Sequence, residues 1–281
     1  MLNWILLYTH YGLQNNMLGA IVGDVVGSIY EFDNIRTKDF QLFSTYPRCF
    51  FTDDSIMTFA TFKALEKCKG KYNKLSDYTI KFKQEYGKLY PNMSYGNSFR
   101  NWLNSDNPQP YNSYGNGSAM SVSPVAYYSN SIEELKDLVY KVTSVSHNHP
   151  EGIKGAEATA VAIWMALHKN SKEEIKDYIE KNYYKLNYNY DDLKENYRFN
   201  ETCQETVPQA IYCFLISEDF EDAIRTGISI GGDSDTLCAI TGAIAEAYYT
   251  IPQNIKNQVL QYLDERLLKD FTKFQKKFKK I

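Results

Sequence analysis

Apolar side chains recur at three- and four-residue steps from Met17 onward: Leu18, Ile21, Val22, Val25, Val26 and Ile29 fall on one face of a helix. The same spacing returns at Ile56, Met57, Ala60, Ala64, Leu65 and Cys68, at Leu135, Leu138, Val139 and Val142, and at Ile211, Phe214 and Leu215. Near the end, Ile255, Val259, Leu263, Leu267 and Phe271 continue it. Alternation with a period of two, the mark of a half-buried strand, is scarce. The chain therefore reads as all-α. The run from Ala156 to Leu167 is apolar on nearly every side, broken only by Glu157 and Thr159, which suits a helix at the centre of a large bundle. Such a helix favours one compact multi-helix domain. Before Met17 there is no comparable order, so residues 1–16 read as an N-terminal extension that need not be native, with the domain at 17–281.

Three stretches resist a helical reading. Ser94 to Pro124 is rich in Gly, Asn, Ser and Pro and is expected to be an extended loop region. Tyr183 to Thr206 is crowded with Tyr and Asn and lacks periodicity, so a surface insertion is expected there. After Leu268, lysines alternate with Phe274 and Phe278, which reads as a solvated helix end; a basic amphipathic stretch also suits a membrane or nucleic-acid contact.

Composition narrows the class. Of 281 residues, 43% are hydrophobic and 23% charged, values that set aside wholesale disorder and a disulfide-dense miniprotein. A formal charge of -3 gives no overall pull toward nucleic acid or an anionic bilayer, so neither is expected as a partner. Cys49, Cys68, Cys203, Cys213 and Cys238 are odd in number and form no C-x-x-C pair, which fits a reducing compartment, and a cytoplasmic protein is expected. The opening run Trp4-Ile5-Leu6-Leu7 is too short to span a membrane and lacks the flanks of a signal peptide.

Two acidic segments carry the chemistry. In Phe51-Thr52-Asp53-Asp54-Ser55, Thr52 can cap the helix that follows, and carboxylates in its first turn are favoured by the helix dipole. In Gly231-Gly232-Asp233-Ser234-Asp235-Thr236, paired glycines permit a sharp turn before three oxygen-bearing side chains at another helix start. Adjacent carboxylates repel, whereas a hard dication such as Mg²⁺ gains from closely placed oxygens. Two such termini, remote in sequence, could converge on a pair of metal ions. Between them, the glycines of Asn112 to Met120 can expose backbone N–H groups to a phosphate while Tyr114 stacks on a base or ribose; a plain turn is equally compatible. The run Ser146-His147-Asn148-His149-Pro150-Glu151-Gly152 reads as a hydrogen-bonding loop rather than a transition-metal site, because no cysteine accompanies its two histidines.

In this order the segments resemble the ADP-ribosylglycohydrolase family. The carrying motifs are Gly23 to Glu31, Thr52-Asp53-Asp54, Ser113 to Met120, His147 to Gly155 and Gly231 to Thr236. The resemblance implies an all-helical fold and a binuclear Mg²⁺ centre, in which Mn²⁺ could substitute, at the mouth of a cleft for ADP-ribose. By the family's pattern, Thr52, Asp53 and Asp54 would hold one ion and Asp233, Asp235 and Thr236 the other, with Asp235 bridging. It further implies that Glu31 is a gating or acid/base carboxylate, that Ser113, Tyr114, Gly115 and Asn116 form the diphosphate and ribose loop, and that His147 lies on the ribose side. Catalysis would then rest on Glu31, Asp54 and Asp235, with ADP-ribose or an ADP-ribosylated protein as partner. The Tyr-Gly-Asn-Gly detail is closest to the family's serine-linked ADP-ribose hydrolase. One departure is visible: Ser121 follows Met120 where many members have arginine.

Two other functions remain compatible with these residues. One is an ADP-ribose-binding pseudoenzyme or regulator without turnover; the other is a dimetal phosphohydrolase. The acceptor linkage is not legible, and a monomer is expected.

Overall fold

The periodic segments fold as helices where the pattern marks them. The computed structural model describes residues 17–278, so the proposed extension at 1–16 lies outside the described residues. In chain order the helices are α1 (Leu18–Gly27), α2 (Asp53–Cys68), α3 (Leu75–Leu89), α4 (Asn97–Leu103), α5 (Gly117–Met120), α6 (Ser123–Tyr128), α7 (Ile132–Thr143) and α8 (Pro150–Leu167). They continue as α9 (Lys172–Asn182), α10 (Tyr190–Asn196), α11 (Cys203–Ile216), α12 (Phe220–Ile230), α13 (Ser234–Tyr248), α14 (Gln253–Val259) and α15 (Glu265–Lys277). Among the described residues one 3₁₀ turn occurs, at Tyr72–Lys74. No strand occurs among the described residues, and the helices share one core in a single domain.

The core is arranged around α13. This helix packs on α1, α8, α11 and α12 at once, and almost all its side chains are buried. The helix α8 is interior as the sequence suggests, touching α7, α11 and α13. What the apolar pattern does not reveal is how closely α1 approaches α13. Gly19, Gly23 and Gly27 recur every four residues and so form one stripe. A Cβ at Gly23 would lie 1.9 Å from the Cys238 carbonyl oxygen, and one at Gly27 would lie 2.4 Å from the Asp235 Cα. The two backbones touch because these positions have no side chain, and that contact brings the end of α1 to the acidic start of α13.

Three expectations need correction. The stretch Ser94–Pro124 contains α4, α5 and the start of α6; each helix is too short for a periodic pattern to show. The segment Tyr183–Thr206 is not a surface insertion: Tyr184, Leu186, Leu193 and Tyr197 are buried, and α10 is capped by the Asn189 side chain. Its buried positions are too few and too irregular to register as a helix face. The tail is solvated only on its lysine side. Phe274 packs edge-on against Phe62 at 5.0 Å and Tyr127 at 5.4 Å, so the aromatic face of α15 is spent on the core. All five cysteines are buried and none is paired. No helix among the described residues is long and apolar enough to cross a membrane.

Candidate active site

Three helix ends meet beneath a cleft. Asp24, fully buried near the end of α1, accepts hydrogen bonds from the Thr52 backbone N–H at 3.0 Å, the Thr52 hydroxyl at 2.7 Å and the Ser55 N–H at 3.0 Å. The Ser55 hydroxyl donates to it as well. One carboxylate from α1 thus satisfies donors that the first turn of α2 would otherwise leave open. Thr52 caps α2 as the sequence suggests, accepting from the Asp54 N–H at 3.3 Å. On Asp54, Oδ2 takes the Thr236 hydroxyl at 3.3 Å, while Oδ1 is buried without a hydrogen-bond partner.

The second acidic segment is delivered by a turn that only glycine tolerates. Gly231 and Gly232 have φ of 71° and 84°, and a Cβ on Gly232 would meet the Tyr197 ring at 2.2 Å. Asn34 closes the turn from both sides, accepting from the Gly232 N–H at 2.8 Å and donating to its carbonyl at 2.9 Å. Asp233 and Asp235 follow, both buried.

The two segments converge. Carboxylate oxygens of Asp24, Asp54 and Asp235 lie within 4.8 Å of one another, and so do those of Glu31, Asp233 and Asp235. Asp235 belongs to both groups. Asp53 belongs to neither, although it lines the same cleft. Thr236 lines the cleft beside Asp54, to which its hydroxyl donates, and the Thr52 hydroxyl is turned toward Asp24. Asp24 is the residue that the sequence reading passed over. Its signal was an acid inside the otherwise apolar run from Leu18 to Ile29, a placement that a buried carboxylate adopts only with strong partners.

This concentration of acid is electrostatically unbalanced. Burial, opposed by the Ser55 and Thr52 hydrogen bonds, pushes Asp24 up to about 6. Burial and then the neighbouring Asp235 and Asp24 push Asp53 to about 7, while Glu31 rises to about 8 through burial followed by Asp235 and Asp53. Asp233 rises to about 6 by burial, and Asp54 and Asp235 are held well above the ordinary carboxylate range, again chiefly by burial. Carboxylates so placed call for positive charge. An all-oxygen donor set, with one buried oxygen lacking a partner, fits a hard divalent cation.

Above the acids the cleft encloses about 440 Å³. Ser113, Tyr114, Gly115, Asn116 and His147 line the same cleft, so every sequence-selected binding residue borders the space that the carboxylates border. Their parts differ. Ser113 braces the loop by accepting from the Gly115 N–H at 3.1 Å. The Tyr114 ring, 44% exposed, meets His149 edge-on at 5.0 Å. Asn116 turns its amide toward Asp233 at 2.7 Å and Thr206 at 3.1 Å, which makes it a brace between loop and acids. His147 is buried beside Phe99 and Tyr111, its Nδ1 2.8 Å from the Ser146 hydroxyl, and burial followed by Lys83 lowers it to about 3, so the ring is neutral. His149 caps α8 by accepting from the Glu151 N–H, as expected of a hydrogen-bonding loop. Ser121 is 2% exposed, and its hydroxyl donates to the Gly117 carbonyl at 3.4 Å.

Glu201 and Thr202 also line the cleft and were missed, because they sit in the stretch read as an insertion. Thr202 bridges to Gly115, and the Glu201 carbonyl accepts from the Asn116 N–H at 2.7 Å.

Comparison with known proteins agrees with this geometry. The model of the ADP-ribosylglycohydrolase family matches residues 14–278. The chain is 27% identical to mouse (Mus musculus) ADP-ribosylhydrolase ARH3, the match covering 84% of this chain and 83% of that protein. It is 28% identical to the cattle (Bos taurus) ADP-ribosylhydrolase ARH3, covering 84% of each. A solved structure described as an ADP-ribosylglycohydrolase-related protein complex superposes with a TM-score of 0.67 at 20% identity, covering 94% of this chain and 96% of that one, which supports the fold. The protein belongs to the ADP-ribosylglycohydrolase family and is a hydrolase of that family.

Proposed function

We propose that the protein cleaves the bond between C1″ of ADP-ribose and an acceptor side chain, with two divalent cations, Mg²⁺ or in its place Mn²⁺. The observation that carries this reading is the sharing of Asp235 between two carboxylate triads at the floor of one cleft. Asp24, Asp54 and Asp235 would hold one cation and Asp233 and Asp235 the other, with Asp53, Thr52 and Thr236 completing the oxygen surroundings and Glu31 standing beside the second. When bound, the cations supply charge that orients ribose hydroxyls and lowers the pKa of an attacking water.

The chain's own residues then do the following. The Ser113–Asn116 loop and Tyr114 seat the diphosphate and its sugar beside the acids. Neutral His147 exchanges hydrogen bonds with a ribose hydroxyl without adding charge. Glu31, next to Asp235 and Asp53, handles the proton: water oxygen joins C1″, the bond from C1″ to the acceptor atom breaks, and that atom leaves with a proton. Five buried, unpaired cysteines support a cytoplasmic setting, and a monomer is the expected working unit.

The test is a panel of defined ADP-ribosyl linkages assayed with Mg²⁺, with Mn²⁺ and with strong chelator. Release of ADP-ribose only in the presence of metal is expected. Undiminished release in chelator would overturn the metal scheme. Release of AMP or inorganic phosphate would identify a phosphohydrolase, and binding without turnover on every linkage would identify a regulator.

A further inference from the structure

A second hollow, of about 420 Å³, lies between α10, the loop that follows it and α11, and none of its lining residues lines the catalytic cleft. Gln209 of α11 lines it. This side chain is 3% exposed, and its Oε1 is buried without a hydrogen-bond partner among the described residues, while Val207, Ala210 and Ile211 beside it are apolar and fully buried. An amide oxygen left unpaired in a core is costly, and an apolar side chain of similar size would remove the cost. The oxygen marks a place for a donor brought from outside the chain.

The walls are held by bonds of their own. The Tyr197 hydroxyl donates to the Glu205 carbonyl, and the Tyr197 carbonyl accepts from the Arg36 guanidinium at 2.8 Å. The Asn200 carbonyl accepts from the Thr206 hydroxyl at 3.1 Å.

Three features set what the hollow would take. Its acceptors are the Gln209 oxygen and the Asp192 and Glu205 carboxylates. Asn189 and Asn200 have NH₂ donors to give, because their amide oxygens are taken by the Asp192 N–H and by Thr202. Hydroxyl groups, each donor and acceptor at once, answer such a mixture. The second feature is charge. Two carboxylates face one guanidinium, Arg198, whose Nη1 already donates to the Glu195 and Tyr197 carbonyls, so a phosphate would be repelled. The third is apolar surface from Tyr188 and Phe199, the latter 41% exposed, which suits the C–H face of a saturated ring.

We propose that this hollow is a second binding site, separate from the catalytic cleft, for a neutral sugar ring, free or within a nucleoside. The Gln209 oxygen accepts from a ring hydroxyl, and Phe199 borders the ring's apolar face.

The experiment titrates the full chain with ribose, glucose and adenosine by ligand-observed NMR, for the wild type, Gln209→Leu and Phe199→Ala, with and without ADP-ribose. The expected result is that at least one of the three binds the wild type, is not displaced by ADP-ribose, and binds roughly tenfold more weakly to each variant. The melting temperature of Gln209→Leu should equal or exceed that of the wild type, since a buried unpaired oxygen is removed. Binding of adenosine alone assigns the site to a nucleoside, and binding of ribose or glucose assigns it to a free saccharide; either supports the proposal. Binding of none of the three would overturn it and leave Gln209 with an ordered water only. Binding unchanged by both substitutions, or displaced by ADP-ribose, would put the sugar in the catalytic cleft and overturn it too. So would inorganic phosphate or guanidinium binding there in place of the sugars. The two substitutions decide the site whether or not ADP-ribose binds the cleft, so failure of the proposed reaction is distinguishable from failure of this inference.

Discussion

The side-chain amide of Asn116 donates to the Asp233 carboxylate across 2.7 Å, joining the glycine loop to the acidic start of α13. The wall that would hold the diphosphate and the floor that would hold cations are thus one hydrogen-bonded unit. Residues that orient metal-ligating carboxylates cost about 10- to 100-fold in metal affinity when removed. Asn116→Ala should weaken Mg²⁺ binding within that range, measured by calorimetry. Asn116→Asp should weaken it more, or force one carboxyl to stay protonated, because a donor becomes a second acid facing Asp233. Mg²⁺ binding unchanged in both variants would separate loop from floor.

Asp24 has a structural duty besides any metal. It accepts from two backbone N–H groups and two hydroxyls at the start of α2, so removing it strands buried donors. Asp24→Ala should cost about 2–4 kcal/mol of stability by urea unfolding even in chelator, the range for losing several buried hydrogen bonds partly offset by relief of a buried acid. Asp24→Asn keeps the shape and should cost less. An Asp24→Ala protein as stable as wild type would contradict the capping geometry.

Why Asp24 escaped the sequence reading, while Asp54 and Asp235 did not, is a matter of where each sits. Asp54 and Asp235 open helices, where a threonine cap or a glycine pair announces them. Asp24 lies near the end of an apolar helix, and its partners are residues 28 and 31 positions away. The helical class and the core faces were legible because burial repeats with the turn of the helix. The Tyr183–Thr206 stretch was not, since its order comes from single contacts such as Tyr197 over Gly232. The position of Glu201 in the cleft depends on that same stretch and was lost with it.

Gly27 transmits packing into chemistry. A Cβ there would stand 2.4 Å from the Asp235 Cα, and both atoms belong to helical backbone that cannot swing away. Gly27→Ala should therefore displace the start of α13, costing about 1–3 kcal/mol as overpacking usually does. Turnover should fall more steeply than stability accounts for, because the shared carboxylate moves with the helix. A folded Gly27→Ala protein with normal turnover at saturating Mg²⁺ would show that α1 and α13 can separate without disturbing Asp235.

Asp235→Ala should be the most damaging single change to activity. Its carboxylate belongs to both triads, whereas Asp54 belongs to one. Calorimetric titration with Mg²⁺ should show one site retained in Asp54→Ala and neither retained with wild-type affinity in Asp235→Ala. Full activity in Asp235→Ala would refute the shared role. Loss of a single site in both variants would show that the two triads are filled independently.

The acid cluster makes stability depend on pH in a direction opposite to that of surface ion pairs. Asp24 and Asp233 are raised to about 6, Asp53 to about 7 and Glu31 to about 8, so each binds its proton more tightly in the folded chain than in the unfolded one. The stability they contribute is complete below the ordinary carboxylate range, near pH 4, and is lost as the pH rises through about 6 to 8. In chelator, the contribution of these groups to the melting temperature should fall across that window. A cation that binds only the ionised cluster reverses the loss, by about 2.7 kcal/mol for a site at a hundredfold excess over Kd. The Mg²⁺-induced rise in melting temperature should accordingly be small at pH 5 and several degrees at pH 8. Scanning calorimetry with and without Mg²⁺ at the two values checks this. Equal rises at both would mean that the carboxylates do not exchange protons for metal.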